Sequence, residues 1–233
     1  MQISAKDLGW LAEDGFCPRC FWIVRHHKVP YQTGFPGIFS SIDSYTKHIV
    51  EHHFERTGRL PGWLSGIGAA KRIIEIRASE FRTARGSVTL TGIPDLLFQR
   101  PDGSYCIADY KTARYTGNQD SLMPVYRIQL NGYAYIAEHL DFRPVRDLYL
   151  VYFEPPHSAT HAEITGKHTT SEGFEMPFRP RIHKLKKDTQ EVERLIAEAG
   201  RIYSMGSPPE GIGGCEDCER LDDLVSLVGE QKE

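Results

Sequence analysis

No stretch of this 233-residue chain is apolar for anything near the roughly 18 residues that a membrane-spanning helix needs, so a transmembrane span is not expected. The N-terminal MQISAKDLGWLAEDG lacks the apolar core of a signal peptide, which points to a cytoplasmic protein. Neither sign of charge dominates: 28 Lys and Arg stand against 31 Asp and Glu, a formal net charge of −3. Such a balance does not advertise a nucleic-acid partner, yet it leaves room for a local basic cleft. Internal repeats and low-complexity tracts are absent. Cysteine is scarce, with five residues at 17, 20, 106, 215 and 218. A secreted disulfide scaffold would be shorter and denser in cysteine.

What is present fits a soluble globular protein, 40% hydrophobic and 25% charged. The length suggests one domain with appendages: a helical N-terminal part over 1–70, a core over 71–206 and a tail over 207–233. Ser4 is a plausible N-cap for a helical segment running towards residue 30, and PYQTGFPGIFSS over 30–41 reads as a loop. IDSYTKHIVEHHFERT over 42–57 has helical spacing, ended by Gly58 and Pro61, and a further helix is expected around 67–74. Strands are expected over 76–84, 88–99 and 104–111, forming an antiparallel meander with its clearest turn at Arg100–Pro101–Asp102–Gly103. A helix over 122–140, despite Gly132, precedes a buried parallel strand over 145–153. Residues 155–173 look irregular, a strand follows near 174–184, and a helix capped by Asp188 or Thr189 runs to Tyr203. The fold class is therefore mixed α/β or α+β around one sheet.

Two segments carry the chemistry. The second expected strand contains Gly92–Ile93–Pro94–Asp95 and the third contains Asp109–Tyr110–Lys111. A hairpin between them sets Asp95 and Asp109 side by side, where two carboxylates can share Mg²⁺ or Mn²⁺, ions that prefer oxygen ligands. Asp109 and Lys111 are two residues apart and leave the same face of the strand. An ammonium there can assist attack of water and steady the charge that develops on a phosphodiester. Unpaired charge inside such apolar strands is costly, which argues for a role beyond the surface. Gln129 and Tyr133, four apart in QLNGY, share one face of the expected helix.

The ordered set GIPD, DYK and QxxxY resembles the PD-(D/E)xK nuclease superfamily in its RecB-like branch. With CPRCFW near the start and a second CxxC near the end, the chain looks like the cysteine-cluster exonucleases of that branch, the kind found in CRISPR adaptation modules and in AddB. The resemblance implies a restriction-endonuclease-like core with a central mixed sheet flanked by helices. It implies Asp95 and Asp109 as metal ligands, the Tyr110 carbonyl as a third, Lys111 as the catalytic lysine, and Gln129 and Tyr133 as positioning residues for the DNA and the active strand. A histidine from an N-terminal helix usually completes the site; His48 is the candidate, with His52, His53, Asp43 and Lys47 as competitors, and Glu80 as a further carboxylate of the metal shell. Single-stranded DNA or DNA ends would be the substrate, and other DNA-processing proteins its partners.

Cys17, Cys20, Cys215 and Cys218 form two CxxC pairs nearly 200 residues apart. Four thiolates hold either a tetrahedral Zn²⁺ or a [4Fe–4S] cluster; the spacing favours zinc, and the resemblance favours iron–sulfur. Either would tie the chain ends together, while Cys106 reads as core packing. Basic clusters that include Arg82, Arg85, Lys184 and Lys186 are candidates for phosphate-backbone contacts. Residues 210–233 hold eight acids and two basic residues, a net of −6, so the rest of the chain is mildly basic. Two other readings remain open: a nuclease-like DNA-binding module with little turnover, and a zinc-stapled structural protein.

Overall fold

The computed structural model describes residues 1–27, 36–115, 121–155 and 168–230. A short strand β1 (Gln2–Ser4) leads into α1 (Ala5–Gly9), whose cap is Ser4: its hydroxyl accepts from the Asp7 N–H at 3.0 Å. After a 3-10 turn come α2 (Pro18–His27) and the long α3 (Gly37–Thr57), which stops at the left-handed Gly58, φ 66°. Then follow β2 (Arg72–Ile73), β3 (Arg82–Arg85), β4 (Val88–Thr91), β5 (Leu96–Gln99) and β6 (Tyr105–Lys111). Helix α4 (Met123–His139) connects β6 to β7 (Val145–Glu154); a small β8–β9 hairpin (Thr169–Thr170, Gly173–Phe174) precedes β10 (Arg179–Leu185). Helices α5 (Thr189–Tyr203) and α6 (Glu216–Glu230) complete the described chain.

The central sheet has the order β10-β7-β6-β5-β2. β6 and β7 run parallel, and α4 is the crossover that a parallel pair needs; the other neighbours are antiparallel, so the sheet is mixed. Alternation along β6 divides the core. Ile107 faces α4 and α5, whereas Cys106, Ala108 and Tyr110 face Val50 of α3 with Leu64 and Ile67. Helix α4 is buried along almost its whole circumference, as expected of an apolar helix at the centre of a fold.

Of the expected antiparallel run of three strands, only the hairpin β5-β6 is present in the central sheet; its third member there is β2, which lies where a helix was expected, while β3 pairs in another sheet. The strand expected over 88–99 is instead two strands in two sheets, because Pro94 cannot donate to a ladder and the chain turns at Gly92–Asp95. β4 pairs with β3 and, in parallel, with β1, in a second sheet of order β1-β4-β3. Only β3, Arg82–Arg85, forms where a strand was expected over 76–84, since Arg77 to Glu80 make a turn. The helix expected around 67–74 is a 3-10 turn over Gly62–Ile67 followed by β2; Gly66 and Gly68 disfavour a helix and β-branched Ile73 and Ile74 favour extension. The loop expected over 30–41 lies outside the described residues up to 35, and α3 begins at Gly37.

Gly132 has a packing reason. A Cβ there would lie 2.8 Å from the Ala5 Cβ, and one on Gly9 would lie 2.5 Å from the Val125 carbonyl oxygen. α1 and α4 thus cross almost backbone to backbone. Gly9→Ala is expected to cost about 1–3 kcal/mol of stability by overpacking, read in urea unfolding as a lower midpoint with an unchanged slope.

Candidate active site

Asp95 stands immediately before β5, and the pairing of Leu96 with Ala108 puts it opposite Asp109. Its Oδ2 accepts from the Tyr110 N–H at 2.5 Å. Asp109 is 3% exposed, and its Oδ2 lies 2.5 Å from Lys111 Nζ. Lys111 also donates to Gln129 Oε1 at 3.0 Å and rests over the Tyr126 ring, 4.4 Å from its centroid. The Gln129 amide spends both protons, on Asp109 Oδ1 at 3.3 Å and on the Tyr133 hydroxyl at 2.8 Å. With its carbonyl on an ammonium and its NH₂ on a carboxylate, Gln129 has one workable orientation. One turn of α4 separates it from Tyr133, so the helix lays a polar brace along an otherwise apolar face. Gly92 makes room for it: a Cβ there would lie 2.4 Å from the Tyr133 ring. That requirement was not read from the sequence, although Gly92 begins the GIPD motif.

The side chain that reaches Asp95 from α3 is Lys47. Its Nζ is 2.7 Å from Asp95 Oδ1 and 2.6 Å from Asp43. Burial draws the Lys47 ammonium down, but Asp95 and Asp43 outweigh it and hold its pKa above the ordinary lysine value. Burial, and then the Asp109 charge, push the Asp95 carboxyl up to about 7 against the pull of Lys47 and the Tyr110 N–H. An acid whose pKa is higher folded than unfolded binds its proton more tightly when folded. Its ionisation therefore removes stability as pH rises from near 3.8 to about 7, and the full penalty applies above that. Asp95→Asn is expected to stabilise the protein by roughly 1–3 kcal/mol at pH 8, without added Mg²⁺ or Mn²⁺, and by much less near pH 4; thermal melts at the two pH values check the sign.

Asp109 Oδ2, although ion-paired, receives no directed hydrogen bond and is buried, so it keeps a lone pair for a cation. Asp95 Oδ1 already attracts one, the Lys47 ammonium. This oxygen donor set fits Mg²⁺ or Mn²⁺. Among the described residues, no third His, Cys or acid joins the two aspartates in a ligand group. His48 is exposed on α3, and Glu80 is exposed and paired with Arg77. Of the basic candidates, Arg85 is engaged by Glu193 and Tyr135, and Lys184 by Asp147, while Arg82 and Lys186 are exposed. His157 and His161, expected in a loop, lie outside the described residues.

The four cysteines meet at one point. Cys17 precedes α2 and Cys20 lies in its first turn; Cys215 and Cys218 stand likewise at α6. Their sulfurs all lie within 4.8 Å of one another. Spacing of three at a helix start directs both sulfurs of a pair to one side, beside N–H groups that favour thiolates. Burial pushes the Cys17 thiol up, but the backbone N–H groups of Cys20 and Ile212 and the neighbouring thiols outweigh it and hold the pKa at about 7. Arg19 clamps Asp222 at 2.6 and 3.0 Å, joining α2 to α6. Helix α6 lies in the tail, where no helix was expected, although Leu221, Leu224, Val225 and Val228 repeat at helical spacing. Cys106 stands apart in β6, where burial pushes its thiol up to about 12.

A mixed sheet flanked by helices, with two aspartates facing each other across β5 and β6 and a lysine two residues on, defines a restriction-endonuclease-like fold of the kind that hydrolyses phosphodiesters. The family model of the PD-(D/E)XK nuclease superfamily matches residues 25–222, and the chain belongs to that superfamily, whose members are generally nucleases. Among curated proteins no relative matches. Among solved structures, the crystal structure of SSO0001 is similar at 14% identity with a TM-score of 0.48, over 89% of this chain and 78% of that one. Among the described residues no helix is long and apolar enough to cross a membrane.

Proposed function

We propose that this chain is a single-domain, metal-dependent deoxyribonuclease that acts on single-stranded DNA or DNA ends. The observation that carries the reading is the Asp95–Asp109 pair, with Asp109 buried and Asp95 partly so, and Lys111 and Gln129 locked against Asp109. Asp95 and Asp109 would hold Mg²⁺ or Mn²⁺, with the Tyr110 carbonyl beside them, and that ion would supply Lewis acidity towards water and the phosphodiester. Lys111 orients the incoming water and offsets negative charge on the phosphate; its ammonium is aimed by Asp109 and the Gln129 carbonyl. Tyr133 fixes Gln129. Lys47, and not His48, reaches Asp95 from α3, and its ammonium neutralises that carboxylate where a metal-ligating histidine was expected. Arg82 and Lys186 are exposed cations available to the DNA backbone.

The four-cysteine group ties the two chain ends together and acts as a staple. Resemblance to the cysteine-cluster exonucleases supports an iron–sulfur occupant, and the even two-and-two spacing supports zinc.

Purified protein incubated with labelled single- and double-stranded DNA and Mn²⁺ or Mg²⁺, beside Lys111→Ala, tests the activity. Cleavage that disappears in the variant supports it. Binding without cleavage by the wild type would recast the chain as a DNA-binding module of a processing complex, and neither binding nor cleavage would sink the reading.

A further inference from the structure

Sulfur spacing separates the two occupants of the cysteine site. A single tetrahedral ion with metal–sulfur bonds of about 2.3 Å holds its four sulfurs about 3.8 Å apart. In a [4Fe–4S] cubane each thiolate binds a different iron corner, which spreads the sulfurs to roughly 6 Å. Here Cys17 and Cys218 are 3.5 Å apart, Cys20 and Cys218 3.4 Å, and Cys20 and Cys215 3.6 Å. All four sulfurs lie within 4.8 Å, so no pair reaches the cubane spacing. The backbone closes over them as well. A Cβ on Gly211 would lie 2.9 Å from the Cys218 sulfur and 3.8 Å from that of Cys17, so the chain runs hard against the sulfurs on that side and leaves them no room to spread there. The cluster that the resemblance implies does not fit these residues, and a mononuclear site does.

We infer that the four cysteines bind one zinc ion in a closed tetrahedral site, with no iron–sulfur cluster. Two CxxC pairs that each open a helix form a common framework for such sites. Four thiolates around a divalent ion carry excess negative charge, and Arg19, held between Cys218 and Asp222, offsets part of it. A closed site with no open position is structural, and zinc has no redox chemistry of its own, so the chain ends would stay fastened under conditions that destroy clusters. The inference deepens the staple in the proposed function and is independent of whether the chain cuts DNA.

The test is the metal content of full-length protein made in medium supplied with both iron and zinc and purified without oxygen. About one zinc per chain is expected, with iron below about a tenth of that and a colourless solution. Cobalt titrated into the metal-stripped protein should saturate at about one equivalent, give the intense visible absorption of a tetrahedral tetrathiolate, and be displaced by zinc. Lys111→Ala should carry the same zinc, which separates this result from any outcome of the DNA assay. Brown protein with about four irons and acid-labile sulfide per chain would overturn the inference, as would a chain that binds neither zinc nor cobalt.

Discussion

Asp109→Asn is expected to lower the rate of metal-dependent DNA cleavage by about a thousandfold or more. The substitution keeps the size and shape of the side chain and its contact with Gln129, but removes the negative charge that a divalent ion and Lys111 both answer to. Asp109 is 3% exposed, so no water can substitute for that charge. The neutral side chain also relieves the repulsion with Asp95, which helps to hold the Asp95 carboxyl up. Against this, the Lys111 ammonium loses its ion-pair partner, so the two effects oppose and the variant should melt close to the wild type. Loss of activity without loss of stability is the combination that a site residue gives and that a core residue does not. The rate constant under single turnover, paired with a thermal melt, reads both halves.

Removing the zinc inferred at the chain ends should have the largest effect on stability. Cys218→Ser, or exhaustive chelation, is expected to lower the melting temperature by roughly 10 °C, equivalent to several kcal/mol in a chain of this size. Cys218 is the one buried side chain among those described in α6, whereas Leu224, Val225 and Leu227 are 60% to 65% exposed. That helix has little apolar burial to hold it and depends on its sulfurs and on the Arg19–Asp222 clamp. Without them, α6 should detach, and limited proteolysis should cut first between residues 204 and 215, ahead of the sheet. Melting of the remaining core would follow from the lost closure between residues 17 and 218.

The parts of this fold that could be read from sequence were those governed by local rules. Ser4 and Asp188 each accept from a backbone N–H three residues on, as an N-cap should, and the apolar periods of α4 and α5 mark helices close to their observed ends. The Asp95–Asp109 pairing was also legible, because a hairpin turn between two apolar strands leaves few registers open. Partnership at long range was hidden. Nothing in VTLTGIPDLLF announces that its first half pairs with Gln2–Ser4 and its second half with β6. Position within a motif was likewise ambiguous on α3. Lys47 and His48 are adjacent, and only the angle at which the helix meets β5 decides that Lys47 touches Asp95 while His48 faces solvent. Gly92 and Gly132 look like weaknesses in sequence and prove to be clearances, one for Tyr133 and one for Ala5.

Cleavage of end-labelled single-stranded DNA in Mn²⁺, under single turnover with wild type and Lys111→Ala compared at equal DNA occupancy, tests the central claim most directly. The account predicts metal-dependent cleavage by the wild type and a loss of about a hundredfold or more in the variant with binding retained. Equal rates for the two proteins, or cleavage that persists without a divalent ion, would contradict it.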